Sequence, residues 1–354
     1  MSNKNTFFVI ELLEWGKTVE RDLPWKSTND PYKIWLSEII LQQTRVDQGR
    51  PYYLKFIEKY PTIFDMANAS EDEIMGLWKG LGYYSRARNL HTTSKIIVTQ
   101  FGGEFPNDFK TILSLKGIGQ YTASAILSFS FNAPFAVLDG NVIRVLSRYF
   151  GITQAVDSTE TLKKLQSLAS KLLPKDKSAI YNQAIMDFGA TFCIPKSPNC
   201  NQCIFKEKCS AYKKSLVAEI PFKAKKTKKT ERFFHFLVIK DEKVILMQKR
   251  SGKDIWQGLF QLPLIEVKTK PQSKMSSNFI NNTIFSKSTN IKFIKKLTQK
   301  LTHQNINGYF WDINLDTKSL TETDYVWIEY EQLKKIGLPR IIDLFLTENL
   351  LSLK

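Results

Sequence analysis

Four cysteines are the residues whose spacing most clearly suggests chemistry. They fall within seventeen residues, and the rest of the 354-residue chain contains none: Cys193, Cys200, Cys203 and Cys209. Four thiols in one segment of a large, reduced protein are typical of a four-thiolate metal site, whereas a disulfide framework is usually spread over a small secreted domain. Two local disulfides or unused thiols are the alternative, and the spacing alone does not identify the metal.

A second motif, Leu-Lys-Gly-Ile-Gly-Gln-Tyr at residues 115–121, lies between two helical patterns. Gly117 and Gly119 can both take positive φ, which leaves the turn free of side chains. The backbone amides that begin the second helix could then face a DNA phosphate. The motif therefore predicts a helix-hairpin-helix, and the alternative is an ordinary tight connection between helices.

Asp139 lies in the segment Val-Leu-Asp-Gly-Asn-Val-Ile-Arg at residues 137–144, where a helix is expected to begin. A helix N-terminus favours the ionised form of a carboxylate, which is useful where positive charge develops during a reaction. A simple N-cap is the alternative, and it is compatible with the chemical role.

Together the hairpin, the downstream aspartate and the Cys-x6-Cys-x2-Cys-x5-Cys loop resemble the endonuclease III superfamily of DNA glycosylases. In that superfamily the four thiolates hold a [4Fe-4S] cluster, so the resemblance implies iron and sulfide rather than zinc as the cofactor. Bifunctional members carry a lysine that forms a Schiff base with the sugar at the position of Tyr121. A phenol cannot form a Schiff base, so the resemblance implies a monofunctional glycosylase.

Two further segments, residues 35–46 and 80–90, resemble the MutY type, which removes adenine; the match spans roughly residues 15–215. The first segment places Glu38 among apolar neighbours such as Trp35 and Leu36, a setting that should raise its pKa. At an ordinary pKa of about 4.3, only about one glutamate in 500 is protonated at pH 7, so a general acid needs such help. A solvated helix carboxylate is the alternative.

The resemblance also assigns roles to the carboxylates. Glu38 would protonate adenine N7, and Asp139 would stay ionised and stabilise the oxocarbenium-like sugar. Tyr121 and Asn141 complete the expected catalytic set.

Because the target adenine is stacked and paired, the resemblance implies that it is extruded from the duplex. Gln43 and Tyr83 would fill the hole, although packing in the core is the alternative for Tyr83. Trp25, Lys26 and Gln183 match positions that line the adenine pocket. Lys26 stands where many relatives have arginine, so a planar bidentate contact becomes a point charge.

Residues 232–354 resemble the Nudix-like C-terminal domain of the MutY family, most clearly at Gly-Leu-Phe-Gln-Leu-Pro, residues 258–263. No glutamate-rich, Mg²⁺-binding helix follows, which makes a nucleotide pyrophosphohydrolase the least favoured function. The resemblance instead implies a module that recognises 8-oxoguanine. Leu301, Thr302 and His303 replace a Phe-Ser-His loop, in which Leu301 cannot stack as phenylalanine would. A surface threonine beside a surface histidine is the alternative.

The periodicity predicts an all-α first domain over residues 1–218, a basic linker over 219–231 and an α+β domain over 232–354. The predicted helices are residues 32–43, 52–59, 71–77, 84–101, 108–115, 120–129, 141–150, 177–191, 330–335 and 341–350. Strands are predicted at 233–240 and 244–249, which would form a hairpin, and at 308–314 and 325–328. Residues 268–288 are predicted to be a loop.

Composition supports a folded protein with a polyanionic partner, either nucleic acid or an anionic membrane surface. With 43% hydrophobic residues the chain can bury a core, which excludes a wholly disordered or collagenous protein. The excess of 51 lysines and arginines over 34 acidic residues gives a net charge of +17, which favours a polyanionic partner. No run is long and apolar enough for a membrane helix or a signal peptide.

The sequence therefore predicts a monomeric, cytoplasmic, nucleoid-associated DNA glycosylase that acts on duplex DNA with adenine opposite 8-oxoguanine or guanine. The alternatives are a pyrimidine-lesion glycosylase with lyase activity, like endonuclease III, and a non-catalytic iron-sulfur protein that binds DNA.

Overall fold

The computed structural model describes residues 3–224, 229–270, 280, 285, 290–314 and 324–351. The described residues form two compact units. The first unit comprises those of Met1–Asn68 and Asn89–Lys225, and the second comprises those of Ala69–Arg88 and Lys226–Lys354. No helix within the described ranges has the length and apolar character needed to cross a membrane.

Helices dominate the first unit. In chain order the helices of the whole described chain are α1 (Asn3–Lys17), α2 (Pro31–Leu41), α3 (Val46–Lys59), α4 (Ile63–Asn68), α5 (Glu71–Leu77), α6 (Ser85–Phe101), α7 (Phe109–Ser114), α8 (Gln120–Phe131), α9 (Gly140–Phe150), α10 (Thr159–Leu172), α11 (Ser178–Asp187), α12 (Ser210–Lys213) and α13 (Arg340–Leu346). Each helix predicted in the first domain is present, with ends displaced by up to six residues at the start of α3, whereas α1, α4, α10 and α12 were not predicted. The prediction of an all-α glycosylase-like half is thus confirmed.

Local sequence explains where the site-bearing helices begin. Asp30 caps α2 by accepting a hydrogen bond from the Tyr32 amide, and Pro31 occupies the first turn. α1, α9, α10 and α11 then enclose an apolar core that contains Phe8, Val145 and Phe188. This core fixes α9 and α11, which carry polar residues of the site described below.

Two sheets form the centre of the second unit. The strands are β1 (Thr230–Val238), β2 (Val244–Lys249), β3 (Phe260–Gln261), β4 (Leu264–Val267), β5 (Asn290–Lys300), β6 (Gln304–Asn314) and β7 (Tyr325–Glu329). One sheet has the order β4-β1-β6-β5 and the other has the order β3-β2-β7. β1 and β6 run parallel, whereas the other pairs are antiparallel. The predicted mixed α and β architecture is confirmed.

The predicted hairpin between the first two strands is wrong. β1 pairs with β4 and β6, and β2 pairs with β3 and β7, so the strands belong to different sheets. Where the chain turns from one strand to the next, the contacts between them are limited to the isolated bridge Lys240–Ile245 and backbone hydrogen bonds from Asp241 N to Val244 O and from Leu246 N to Ile239 O, each 2.9 Å, among the described residues. The last five residues of β1 are all buried, so both faces of this strand are covered by protein, and its two edges are paired with β4 and β6.

Strand β5 was not predicted. Lysines fill many of its positions, and its residues alternate between exposed and half-buried along much of its length, so its apolar signal is weak. Most of the predicted loop over 268–288 lies outside the described residues, as do residues 225–228 of the predicted linker.

Residues 69–88 group with the C-terminal strands, although the sequence placed them in one domain over 1–218. Asp72 pairs with Lys249 at 2.6 Å, Lys79 pairs with Asp343 at 2.6 Å, and the Tyr84 hydroxyl donates to the Leu338 carbonyl at 3.1 Å. α5 and the glycine-rich turn after it are therefore held by the second unit.

Candidate active site

A cavity of about 750 Å³ in the first unit gathers the residues that the sequence predicted to be catalytic. Glu38, Tyr121, Asp139 and Asn141 all line it. Four of the residues predicted to bind DNA or the base line it as well: Trp25, Lys26, Gln43 and Gln183. Residues from the 3-10 turn Pro24–Ser27, from α2, α8, α9 and α11 and from the segment after α2 thus meet in one space large enough for a nucleoside.

Glu38 projects from α2 and is 7% exposed. Burial raises the pKa of its carboxyl to about 7, a hydrogen bond with Tyr121 opposes the rise, and the charge of Asp139 adds to it. A substantial fraction of Glu38 is therefore protonated near neutral pH. The predicted upward shift of its pKa is confirmed.

Asp139 is the N-cap of α9, as its position before a helix predicted. One carboxylate oxygen accepts from the Val142 amide at 2.7 Å and the other from Asn141 Nδ2 at 2.8 Å. Burial raises the pKa of Asp139, whereas these hydrogen bonds and the charge of Arg144 lower it. The cap thus favours the ionised form as expected, but the net shift is upward because the sequence analysis left out burial in the cavity.

The two carboxyl groups consequently have different surroundings. Asp139 has several groups that favour its charged form, whereas Glu38 has a single one, the Tyr121 hydroxyl. Burial and the two carboxylates raise the pKa of Tyr121 well above its ordinary value, so the phenol stays neutral and can donate. This asymmetry suits a pair in which one carboxyl gives a proton and the other carries charge.

Arg144 ties the catalytic end of α9 to the cysteine segment. Its guanidinium donates to Asn141 Oδ1 at 2.9 Å and to the carbonyl oxygens of Gly189 and Cys193 at 2.5 and 2.8 Å. One turn further along α9, Arg148 donates to the carbonyls of Ile194, Pro195 and Ile220. The sequence analysis did not single out either arginine, and their spacing of four residues was the available signal.

The four predicted metal ligands lie between the end of α11 and the start of α12, and all are free, half-buried thiols. Burial raises the pKa of Cys203 to about 12, and each of Cys193, Cys200 and Cys209 raises it further. Arg148 Nη1 lies 3.5 Å from Cys193 Sγ. Within the described part of the chain, no group of three or more histidine, cysteine or acidic side chains is arranged to hold a metal ion.

The adenine-pocket prediction named Lys26 but missed its partners. Lys26 Nζ lies 2.9 Å from Asp187 Oδ2, and Arg21 Nη1 lies 2.5 Å from Asp187 Oδ1. Both Arg21 and Asp187 line the cavity. Asp187 follows Gln183 by four residues on α11, a spacing that places both on one helix face and could have revealed it.

The hairpin glycines differ from each other. Gly117 has φ +83°, and a Cβ there would lie 2.6 Å from Asn89 Cβ. Gly119 instead has φ −95°, caps α8 and leaves space around itself, so of the two glycines that could take positive φ, Gly117 does and Gly119 does not. The N-cap of α8 needs extended backbone, which any residue can adopt. The helix-hairpin-helix itself, α7 and α8 joined by residues 115–119, is present.

Two predicted DNA-contacting residues adopt left-handed backbone. Gln43 follows α2 with φ +54°, and Tyr83 follows Gly82 with φ +49°. A non-glycine residue with positive φ is uncommon and often marks a functional site. Tyr83 is 45% exposed, so its predicted alternative, packing in the core, does not hold.

The predicted lesion-reading loop connects β5 to β6 in the second unit, and Thr302 and His303 are both exposed there. The Thr302 hydroxyl shares a hydrogen bond with the Tyr83 hydroxyl. The His303 carbonyl accepts from the Thr230 amide at 3.1 Å, which ties the loop to the start of β1. Two positions separated by 219 residues in the sequence are thereby brought together.

Comparison with known proteins gives two family matches. Residues 36–171 match the HhH-GPD superfamily base excision DNA repair proteins, and residues 234–348 match the NUDIX domain. An adenine DNA glycosylase of Buchnera aphidicola subsp. Schizaphis graminum (strain Sg) is 38% identical over 323 residues, which cover 90% of this chain and 92% of the relative.

Solved structures resemble the helical part. A thermostable thymine-DNA glycosylase is 35% identical with a TM-score of 0.56, and the alignment covers 60% of this chain and 97% of that chain. A non-covalent endonuclease III–DNA complex is 23% identical with a TM-score of 0.53 and coverages of 61% and 99%. Because the identity to the endonuclease III complex is only 23%, this resemblance concerns the fold alone.

Proposed function

The chain belongs to the adenine DNA glycosylase family of base-excision repair enzymes, and we propose that it removes adenine paired with 8-oxoguanine or guanine in duplex DNA. The observation that carries this proposal is the shared cavity, which holds an acid with a pKa of about 7 and a capped carboxylate.

In the proposed reaction, protonated Glu38 gives its proton to adenine N7. The C1′–N9 bond breaks, its electron pair stays on the departing adenine, and the sugar becomes oxocarbenium-like. Asp139, oriented by Asn141, stabilises that positive charge. Water then bonds to C1′, its proton returns to Glu38, and an abasic site remains.

We propose that the enzyme is monofunctional. Tyr121 occupies the start of α8, where its neutral phenol donates to Glu38 and has no amine with which to attack C1′. Base release is therefore expected to leave an intact strand. Borohydride trapping of a covalent adduct on a duplex with a pyrimidine lesion would instead support a lyase.

The Tyr83–Thr302 hydrogen bond supports recognition of 8-oxoguanine by the β5–β6 loop. If Tyr83 enters the base stack, Thr302 and His303 lie at the opposite base, where hydroxyl and imidazole groups can read hydrogen-bonding positions. Leu301 is half-buried against the core of the second unit and does not replace a stacking phenylalanine.

We further propose that Cys193, Cys200, Cys203 and Cys209 hold a [4Fe-4S] cluster. The donor set is four thiols in one segment: burial and the charges of Cys193 and Cys209 raise the pKa of both Cys200 and Cys203, whereas Arg148 lowers the pKa of Cys200 and Lys4 lowers that of Cys209. Thiolates bound to iron carry negative charge, which these cations offset. The cluster would fix the segment to which Arg144 anchors Asn141.

One chain supplies both carboxylates of the cavity, so we propose that the enzyme acts as a monomer. Its substrate is chromosomal DNA, which corresponds to a cytoplasmic, nucleoid-associated enzyme.

The test is single-turnover base release from duplexes with adenine opposite 8-oxoguanine, guanine or thymine, followed by alkali to cut abasic sites. We expect release opposite 8-oxoguanine and guanine and none opposite thymine. Equal rates on all three would contradict the mispair specificity, and no release on any would contradict the assigned reaction.

A further inference from the structure

A buried carboxylate with no assigned role lies at the rim of the catalytic cavity. Asp187 ends α11 and is 3% exposed, and the helix passes from it into a π-helical turn, Phe188–Phe192. Such turns occur often at functional sites. Gln183, one turn earlier on α11, lines the same cavity.

Each oxygen of Asp187 binds one cation. Arg21 reaches Oδ1 at 2.5 Å and Lys26 reaches Oδ2 at 2.9 Å, and both come from the segment before α2, more than 160 residues away in the sequence. The two cationic side chains are about one-fifth exposed, so they are largely enclosed by protein. Without Asp187 these two like charges would repel each other at the rim of one cavity.

The ion pairs leave donors for a ligand. An ammonium group has three N–H donors and a guanidinium has five, and each uses one on Asp187. A carboxylate that holds both cations therefore fixes N–H groups at the wall of the cavity. The ring of an adenine presents unprotonated nitrogens, N1 and N3, which accept hydrogen bonds from such donors.

We propose that Asp187 is a positioning residue that holds Lys26 and Arg21 as hydrogen-bond donors to the ring nitrogens of the extruded adenine. This inference rests on the proposed function, because it assigns base recognition within the same cavity. It also accounts for a lysine at position 26, since a point charge keeps its direction when a buried carboxylate anchors it.

The test combines Asp187→Asn with adenine analogues. Single-turnover release is measured for adenine, 1-deazaadenine and 3-deazaadenine, each opposite 8-oxoguanine. The wild type should release at least one of the two analogues, 1-deazaadenine or 3-deazaadenine, at least tenfold more slowly than adenine, because that analogue lacks a ring nitrogen that accepts from Lys26 or Arg21. In Asp187→Asn, adenine release should slow about tenfold and the penalty for that analogue should shrink to within about threefold.

Asp176→Asn is the matched control, because Asp176 is exposed and lies outside the cavity. This variant should keep the wild-type rates on all three bases. Asp187→Glu, which retains the charge, should restore part of the discrimination. If Asp187→Asn is unstable, Lys26→Met is used instead. It removes the ammonium group that Asp187 binds, and the release rates of the same three bases are compared.

Uniform slowing of all three bases by Asp187→Asn would overturn the inference and leave Asp187 a scaffold residue. The same conclusion would follow if the wild type released both analogues as fast as adenine. Failure of the wild type to release adenine would instead contradict the proposed function.

Discussion

At the residue scale, the proposed chemistry depends on two buried carboxyl groups whose surroundings differ. Burial raises the pKa of Glu38 to about 7, and Asp139 adds to the shift because two neighbouring negative charges disfavour each other. Asp139 instead accepts hydrogen bonds from the start of α9. Both roles arise from local surroundings rather than from the residue type.

The first prediction concerns the pH dependence of base release. Glu38 acts as an acid only when it is protonated, so the single-turnover rate should fall as pH rises through about 7. Above pH 8 the fall should approach tenfold per pH unit. Rates measured from pH 5.5 to 9 check this, and a flat profile up to pH 9 would show that no group with this pKa donates the proton.

The second prediction concerns stability. Between its ordinary pKa of 4.5 and its folded pKa of about 7, Glu38 binds more protons in the folded state than in the unfolded state. Its burial therefore lowers the free energy of unfolding as pH rises through this window. Glu38→Gln should exceed the wild type in stability at pH 8 by up to about 3 kcal/mol, and the gain should vanish near pH 4.

Urea unfolding at pH 4 and pH 8 provides the measurement. Glu14→Gln is the matched control, because the Glu14 side chain is 63% exposed and should show no such pH-dependent gain. A Glu38→Gln variant that is less stable than the wild type at pH 8 would contradict the account.

At the element scale, short motifs determine where the reactive groups point. The hairpin between α7 and α8 leads directly to Tyr121, and the cap of α9 fixes Asp139. Arg144 extends the α9 contacts to the cysteine segment.

The hairpin glycines give the third prediction. Gly117→Ala should destabilise the protein by roughly 1–3 kcal/mol, because φ is +83° and the added Cβ meets Asn89. Gly119→Ala is the control for folding, since Gly119 has ordinary φ and open space around it. Thermal unfolding of both variants is the measurement, and equal destabilisation would contradict the assigned turn geometry.

The fourth prediction concerns the loop between β5 and β6. Thr302→Val keeps the side-chain shape but removes the hydroxyl that Tyr83 binds, so the ratio of release rates opposite 8-oxoguanine and guanine should fall about fivefold or more. Thr298→Val makes the same change within β5 and should leave the ratio unchanged. An unchanged ratio in Thr302→Val would remove this loop from lesion recognition.

The sequence predicted elements better than it predicted their pairing. Caps, periodicity and glycines located α2, α8 and α9, because these signals are local. The partners of β1 depend on contacts far apart in the chain, and a strand buried at consecutive positions does not show which strand lies beside it. The Arg21–Asp187 pair was missed for the same reason, since 166 residues separate its members.

At the scale of the whole molecule, different parts of the chain serve attraction to DNA and the proposed chemistry on the base. A net charge of +17 and the helix-hairpin-helix suffice for binding to phosphates, and neither breaks a glycosidic bond. The second unit carries Tyr83 and the β5–β6 loop, and the first unit carries the carboxylates. The amino-acid composition predicted attraction to a polyanion such as DNA. That Glu38 and Asp139 line one cavity is seen only in the folded structure.

The most direct test of the central claim is single-turnover adenine release by Asp139→Asn, with affinity for the same duplex measured in parallel. Release opposite 8-oxoguanine should fall at least 100-fold while the dissociation constant changes by less than about threefold. Asp176→Asn should match the wild type in both measurements. Release by Asp139→Asn at the wild-type rate would contradict the claim that the capped carboxylate stabilises the sugar.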